Sequence, residues 1–206
     1  MKLLKLCVVA ILAFPLINIP NALASEFEET SETILSIEPG TGTTDPEQPI
    51  GPPTGQSGPL SIDAVSIFNF GSVETGGKGL AKTNPAEKLG IQVTDSRGMG
   101  AGWSVSVRIS DFEESGSGKI LRANVSIPEG RISSNLGDMG RAPIAHPLTL
   151  NKSPQVIFSA GLDQGMGTFT NEFESNGGHV EIDTNPGALV GNYEATLTWT
   201  IQDAPT

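Results

Sequence analysis

Five residues carry the side chains best suited to recognition chemistry: Trp103, Trp199, Asp95, Arg97 and Asp203. The two tryptophans are the only ones in the chain, and an indole ring can lie flat against the apolar face of a sugar. The nearby carboxylates and guanidinium could hydrogen-bond sugar hydroxyls or amides, the mix of flat contact and fixed polar groups that ligand sites use. An exposed Asp95/Arg97 pair in Asp95-Ser96-Arg97-Gly98 could likewise grip a peptide stem. The same residues have a plainer reading. Trp103 lies two positions before Val105, and Trp199 two before Ile201, so each ring shares a strand face with apolar side chains. That face is the core face, where a large aromatic needs one partner for its indole N–H. Asp95 and Arg97 can equally brace each other or their turn, with the adjoining glycines supplying positive φ. The pattern favours core and turn roles, which leaves binding to loops between strands.

Catalytic chemistry finds little footing, and we assign no catalytic residue, metal ligand or cofactor. Beyond Cys7 there is no thiol, and neither a G-x-S-x-G elbow nor an H-E-x-x-H helix occurs. His146 precedes a proline and His179 opens a strand, with no second histidine nearby to make a zinc site. Gly98-Met99-Gly100-Ala101-Gly102 has the glycines of a phosphate loop, but a strand follows it, so no helix N-terminus would meet a phosphate. Glu113-Glu114 reads as a solvated loop. A wall-active glycosidase, needing only two suitably spaced carboxylates, is the remaining enzymatic alternative.

The elements that must position these residues are strands. Trp103, Val105, Val107 and Ile109 alternate with Ser104, Ser106, Arg108 and Ser110. Leu89, Ile91 and Val93 alternate, as do Ala123, Val125 and Ile127, Val156 with Phe158, and Val180 with Ile182. In the last run Tyr193, Ala195, Leu197, Trp199 and Ile201 face one way, against Glu194, Thr196, Thr198 and Thr200. One-sided alternation is what an antiparallel sheet packed on a single face produces. Glycine-rich punctuation such as Thr75-Gly76-Gly77, Ser115 to Gly118 and Asn185-Pro186-Gly187 separates the runs. No helix of normal length is evident. The fold class expected is an all-β antiparallel sandwich, Ig-like or related, with long glycine-rich loops.

Residues 1–24 read as a signal peptide: Lys2 and Lys5, an apolar run from Leu6 to Ile19, and Ala22-Leu23-Ala24 before Ser25. Cleavage there gives a secreted chain with no cysteine and no membrane insertion, so burial rather than disulfides must supply its stability. Residues 25–59 hold seven acids and no base, and 39–59 are dense in Pro, Gly and Thr, which predicts a disordered segment and semi-extended linker. The folded domain is expected over 60–206. The whole chain carries a net charge of −11, and losing the two signal lysines takes it to −13. Such a surface excludes nucleic acid and disfavours anionic lipid or polyanionic wall polymers, because these need clustered Lys and Arg. Solubility alone would also account for the acidity. No second hydrophobic run or sorting motif follows Ile201, so attachment to a cell surface is expected to be non-covalent.

Taken in order, the motifs resemble the WxL-domain cell-surface proteins of Gram-positive bacteria. The matching pieces are the acidic Pro-rich linker, Gly58-Pro59-Leu60-Ser61-Ile62-Asp63-Ala64-Val65 and Phe68-Asn69-Phe70-Gly71. Then come Val93-Thr94-Asp95-Ser96-Arg97-Gly98, Gly102-Trp103-Ser104-Val105 and Gly165-Met166-Gly167-Thr168. Gly191-Asn192-Tyr193, Leu197-Thr198-Trp199-Thr200-Ile201 and Asp203-Ala204-Pro205 close the series. Val105 and Ile201 stand where the family pattern has leucine; both are β-branched and suit a strand. The resemblance implies non-covalent attachment to the wall with peptidoglycan or a wall glycan as ligand. It further implies partnership with WxL-interacting and other surface proteins in multi-component complexes, and leaves host surface ligands open. The alternative is a structural or adhesive subunit that docks onto another surface protein.

Overall fold

The structure is a computed structural model, and it describes residues 32, 34–41, 45–46, 49–82, 88–134, 137–174 and 177–203. The signal segment lies outside them. The chain divides into two units, Met1–Ser36 and Ile37–Thr206, and every strand described belongs to the second. Among the described residues no helix is long and apolar enough to cross a membrane.

Four antiparallel sheets pack into an all-β sandwich. The first sheet is built from β1 (Leu60–Val65), β3 (Gly90–Asp95), β12 (Gly167–Glu172) and β8 (Arg131–Ser133), in the order β1-β3-β12-β8. The second is built from β2 (Lys78–Leu80), β7 (Ala123–Ile127), β10 (Leu148–Thr149) and β13 (Glu181–Thr184), in the order β10-β7-β13-β2. In the third, β15 (Leu197–Gln202), β4 (Trp103–Ile109), β11 (Gln155–Ala160) and β9 (Ile144–Ala145) lie side by side in that order. A small fourth sheet joins β14 (Tyr193–Glu194), β5 (Phe112–Glu114) and β6 (Ile120–Leu121). The only helical element described is a 3-10 turn at Met139–Arg141.

The period-two pattern works as expected in the central strands. Trp103, Val105 and Val107 are fully buried, as are Ile91, Val93, Phe169 and Phe173 from the first sheet and the residue after it. Val125, Ile127 and Ile182 close the same core from the second. Every second residue thus meets one shared apolar interior, which is what stabilises a domain without disulfides.

Two alternations break. Val156 and Phe158 do not share a face: the register slips between them, so that Val156 lies opposite Ser106 and Phe158 opposite Val105. Ile157 is the extra residue of a β-bulge, which reverses the facing of everything after it. The closing run is also not one strand. Tyr193–Glu194 pairs with Glu114 and Glu113 in the small sheet, whereas Leu197–Gln202 pairs with Ile109 through Ser104. The chain changes sheets across Ala195-Thr196, a step that the unbroken alternation conceals. Glu113 and Glu114, expected in a loop, belong to β5.

Residues 49–59, read from composition as linker, lie along the free edge of β1. Pro53 bridges Ala64, Thr54 N donates to Asp63 O at 2.8 Å, and Ile50 is 1% exposed. Prolines suit this position because an edge partner need not supply every ladder donor. The outward face of the first sheet is polar yet buried. There Asp63 accepts from Ser61 Oγ (2.7 Å), Gln92 Nε2 (2.8 Å) and Thr94 Oγ1 (2.6 Å). Asp45 O also accepts from Gln92 Nε2, at 3.2 Å, so the acidic segment reaches this face.

Candidate functional site

Asp95 ends β3, and the glycine-rich loop after it turns the chain back into β4. Gly98, Gly100 and Gly102 have φ of 70°, 60° and 75°, a region that side chains rarely adopt. A Cβ on Gly102 would also stand 2.5 Å from Ala160 O. The tight return delivers Arg97 onto Asp95. Arg97 Nε donates to Asp95 Oδ1 at 2.9 Å and Nη2 to Oδ2 at 2.8 Å, a two-pronged pair with both side chains buried. Nη2 also donates to Gly102 O at 2.7 Å, and Nη1 reaches Asp203 O at 3.4 Å. The hydrogen bond to Asp95, working against desolvation, raises the Arg97 guanidinium further above its ordinary value. One guanidinium therefore ties the end of β3, the entry to β4 and the exit from β15 into a single clamp.

Trp103 stands beside this clamp with no accessible surface. Its ring meets Phe158 edge-on at 4.9 Å and 78°, and its Nε1 donates to Gly165 O at 3.0 Å. Gly165 has φ of 67°, and a Cβ there would lie 2.8 Å from Trp103 Nε1. This accounts for Gly165-Met166-Gly167, a motif whose role the sequence leaves open: it receives the indole N–H and leaves room for the ring. Trp103 consequently offers no ring face to a sugar.

Trp199 is elsewhere. It lies opposite Val107 on β15, whereas Asp203 comes just after the end of that strand. Its ring is half-buried and stacks on Phe173 (6.3 Å, 7°), which meets Phe68 edge-on, and Phe68 in turn meets Phe70. Asp95, Arg97, Trp103 and the Asp203 backbone thus come together at one end of the sandwich, and Trp199 does not join them. Val105, Leu197 and Ile201 take part in the β4–β15 pairing, with Ile201 opposite Val105, while Gly102 just before β4 makes the close approach to Ala160. Tyr193 donates its hydroxyl to Leu189 O at 2.9 Å.

The remaining polar residues occupy separate places. His146 Nε2 is 2.8 Å from Ser159 Oγ, and His179 Nδ1 is 3.7 Å from Glu174 Oε1. Glu114 binds Ser117 and Lys119, and these hydrogen bonds hold its carboxyl below the usual range. Glu172 is 5% exposed between Lys88 and Arg131, each at 2.7 Å. Burial pushes that carboxyl up, but the two cations together overcome it and hold it below its ordinary value.

The family model described as "WxL domain surface cell wall-binding" matches residues 24–205. The chain belongs to the WxL family, whose domain is a cell wall-binding surface domain. No curated protein matches the chain significantly.

Proposed function

We propose that this is a secreted protein, cleaved after Ala24 and held non-covalently on the Gram-positive wall by its WxL domain, with peptidoglycan as ligand. It works there within a multi-protein surface complex that includes WxL-interacting proteins, and it is not an enzyme. The family match across nearly the whole chain carries the reading. The buried clamp supports a particular division of labour. Asp95, Arg97 and Trp103 build the fold, since their polar atoms are already engaged inside it. Wall ligand then meets the accessible surface, where half-exposed Trp199 remains a candidate contact.

The test is retention of the intact protein on deproteinised walls, at low and high salt. Binding to bare walls at both salt levels supports a glycan or stem-peptide ligand. Binding only to walls that keep their membrane-bound partners refutes direct attachment. A second reading, docking onto another surface protein, draws on β15. That strand pairs with β4 on one side and with no other named strand among the described residues, so an extended partner segment could add to its free edge. Mass spectrometry of the released protein checks export: a chain beginning at Ser25 is expected.

A further inference from the structure

At the end of the sandwich opposite the Arg97 clamp, the sheets part around a groove of about 680 Å³. β4 runs from Trp103 at one end to Ile109 at the groove, roughly 20 Å at strand rise. The volume falls in the range of about 300–1,000 Å³ that small-ligand sites occupy. Buried Leu150 and the partly buried Ile109, Phe112, Leu121 and Ala123 form an apolar floor. The rim is polar and comes from four different segments. Arg122 projects from the β6–β7 junction, Asn124 from β7 and Asp183 from β13, and all three are exposed. Lys152 and Asp111 pair across the mouth at 2.8 Å.

The charges select the ligand. No carboxylate pairs with Arg122 among the described residues, although the chain carries 23 acids against 12 bases. Lys152 is neutralised by Asp111, which leaves one unpaired cation beside the Asp183 carboxylate. Such a rim accepts one anionic group together with one cationic or amide group. It disfavours an extended polyanion, because the rim offers only this one unpaired cation, with the Asp183 carboxylate on the same rim. Phe112 is the one aromatic ring on a floor otherwise made of small and branched aliphatic side chains, which suits methyl groups better than the broad aromatic face a sugar ring would favour.

We infer that this groove binds a short zwitterionic peptide with small apolar side chains, its terminal carboxylate on Arg122 and its ammonium or amide groups toward Asp183 and Asn124. Within the wall that chemistry is the stem peptide, so the inference rests on the proposed attachment to peptidoglycan and places the contact away from the Trp103 motif. Arg122 is the residue that discriminates for a free carboxylate.

The test uses the intact protein, its Arg122→Glu variant and a Lys82→Glu control, which makes the same charge change at an exposed residue outside the groove. Each is titrated calorimetrically with soluble muropeptides from muramidase-digested walls, and with the same muropeptides after amidation of their carboxylates. Loss of a charge-assisted hydrogen bond should weaken binding at least about tenfold in Arg122→Glu. Lys82→Glu should stay within about twofold of the parent. Amidation should weaken the parent similarly and add nothing further in Arg122→Glu. If Arg122→Glu binds as the parent does, or if peptide-free wall sugars bind equally well, the groove assignment is overturned while wall attachment stands. If the parent binds neither walls nor muropeptides, the wall reading falls and the groove with it.

Discussion

Replacing Arg97 by alanine removes the one group that joins three chain segments, and the cost can be worked from its contacts. The Asp95 carboxylate, 2% exposed, would lose both bonds from the guanidinium and keep only the one from Arg97 N at 3.1 Å. Gly102 O would lose its 2.7 Å donor, and the weak tether to Asp203 would go. Removing one partner of a buried pair typically costs about 3–5 kcal/mol, a large share of the roughly 5–15 kcal/mol that holds a domain together. With a urea slope of about 2 kcal/mol/M, the midpoint should fall by about 1.5–2.5 M. Arg97→Lys should lie between, because a lysine cannot reproduce the fork. Replacing both partners, as Asp95→Leu with Arg97→Met, should cost less than Arg97→Ala alone, since no charge is left stranded. The assay is urea unfolding monitored by circular dichroism at neutral pH. A midpoint for Arg97→Ala within about 0.3 M of the parent, together with lost wall retention, would refute the clamp and return Asp95 and Arg97 to the ligand site.

Other contacts give three further expected outcomes. Gly165→Ala puts a Cβ against Ala160 and Trp103 at a positive φ, so it should cost at least about 1–3 kcal/mol and alter the near-UV tryptophan signal; an unchanged spectrum and midpoint would contradict the packing. Ile50→Ala should cost about 2–5 kcal/mol in the same urea assay, because a 1% exposed side chain outside the expected domain leaves a cavity; a change below about 0.5 kcal/mol would make residues 49–59 a true linker. Glu172 has a folded value below its ordinary 4.5, so its contribution is fully present above that pH and is lost as pH falls through the depressed folded value. Stability of the parent should therefore drop more steeply below about pH 4.5 than that of Glu172→Gln; parallel pH profiles would exclude the contribution.

Much of the architecture was legible because alternation is a local property. Trp103, Val105 and Val107 declare a buried face wherever β4 lies, and no partner strand need be known to read it. The bulge at Ile157 and the sheet change at Ala195-Thr196 were not legible. A slip in register depends on the opposing strand, here Ser106 and Val105, and leaves no mark in the spacing of Val156 and Phe158. Composition alone could not show the contacts of residues 49–59 for a related reason: Ile50 is one apolar residue among prolines and glycines, and it is the edge of β1 beside it that gives it a place to bury.

The linear order of residues determined the strand content, the absence of any disulfide downstream of Cys7, the acidic charge and the family motifs, because each depends on residue type and short spacing alone. Tertiary structure decided what those motifs do. Asp95 and Arg97 could have faced a ligand or each other, and only the folding back of the Gly98–Gly102 loop directs them inward. Arg122 and Asp183 are 61 positions apart and carry no shared motif. They line one groove because β7 and β13 are hydrogen-bonded neighbours, a juxtaposition set by sheet order and invisible to any local window.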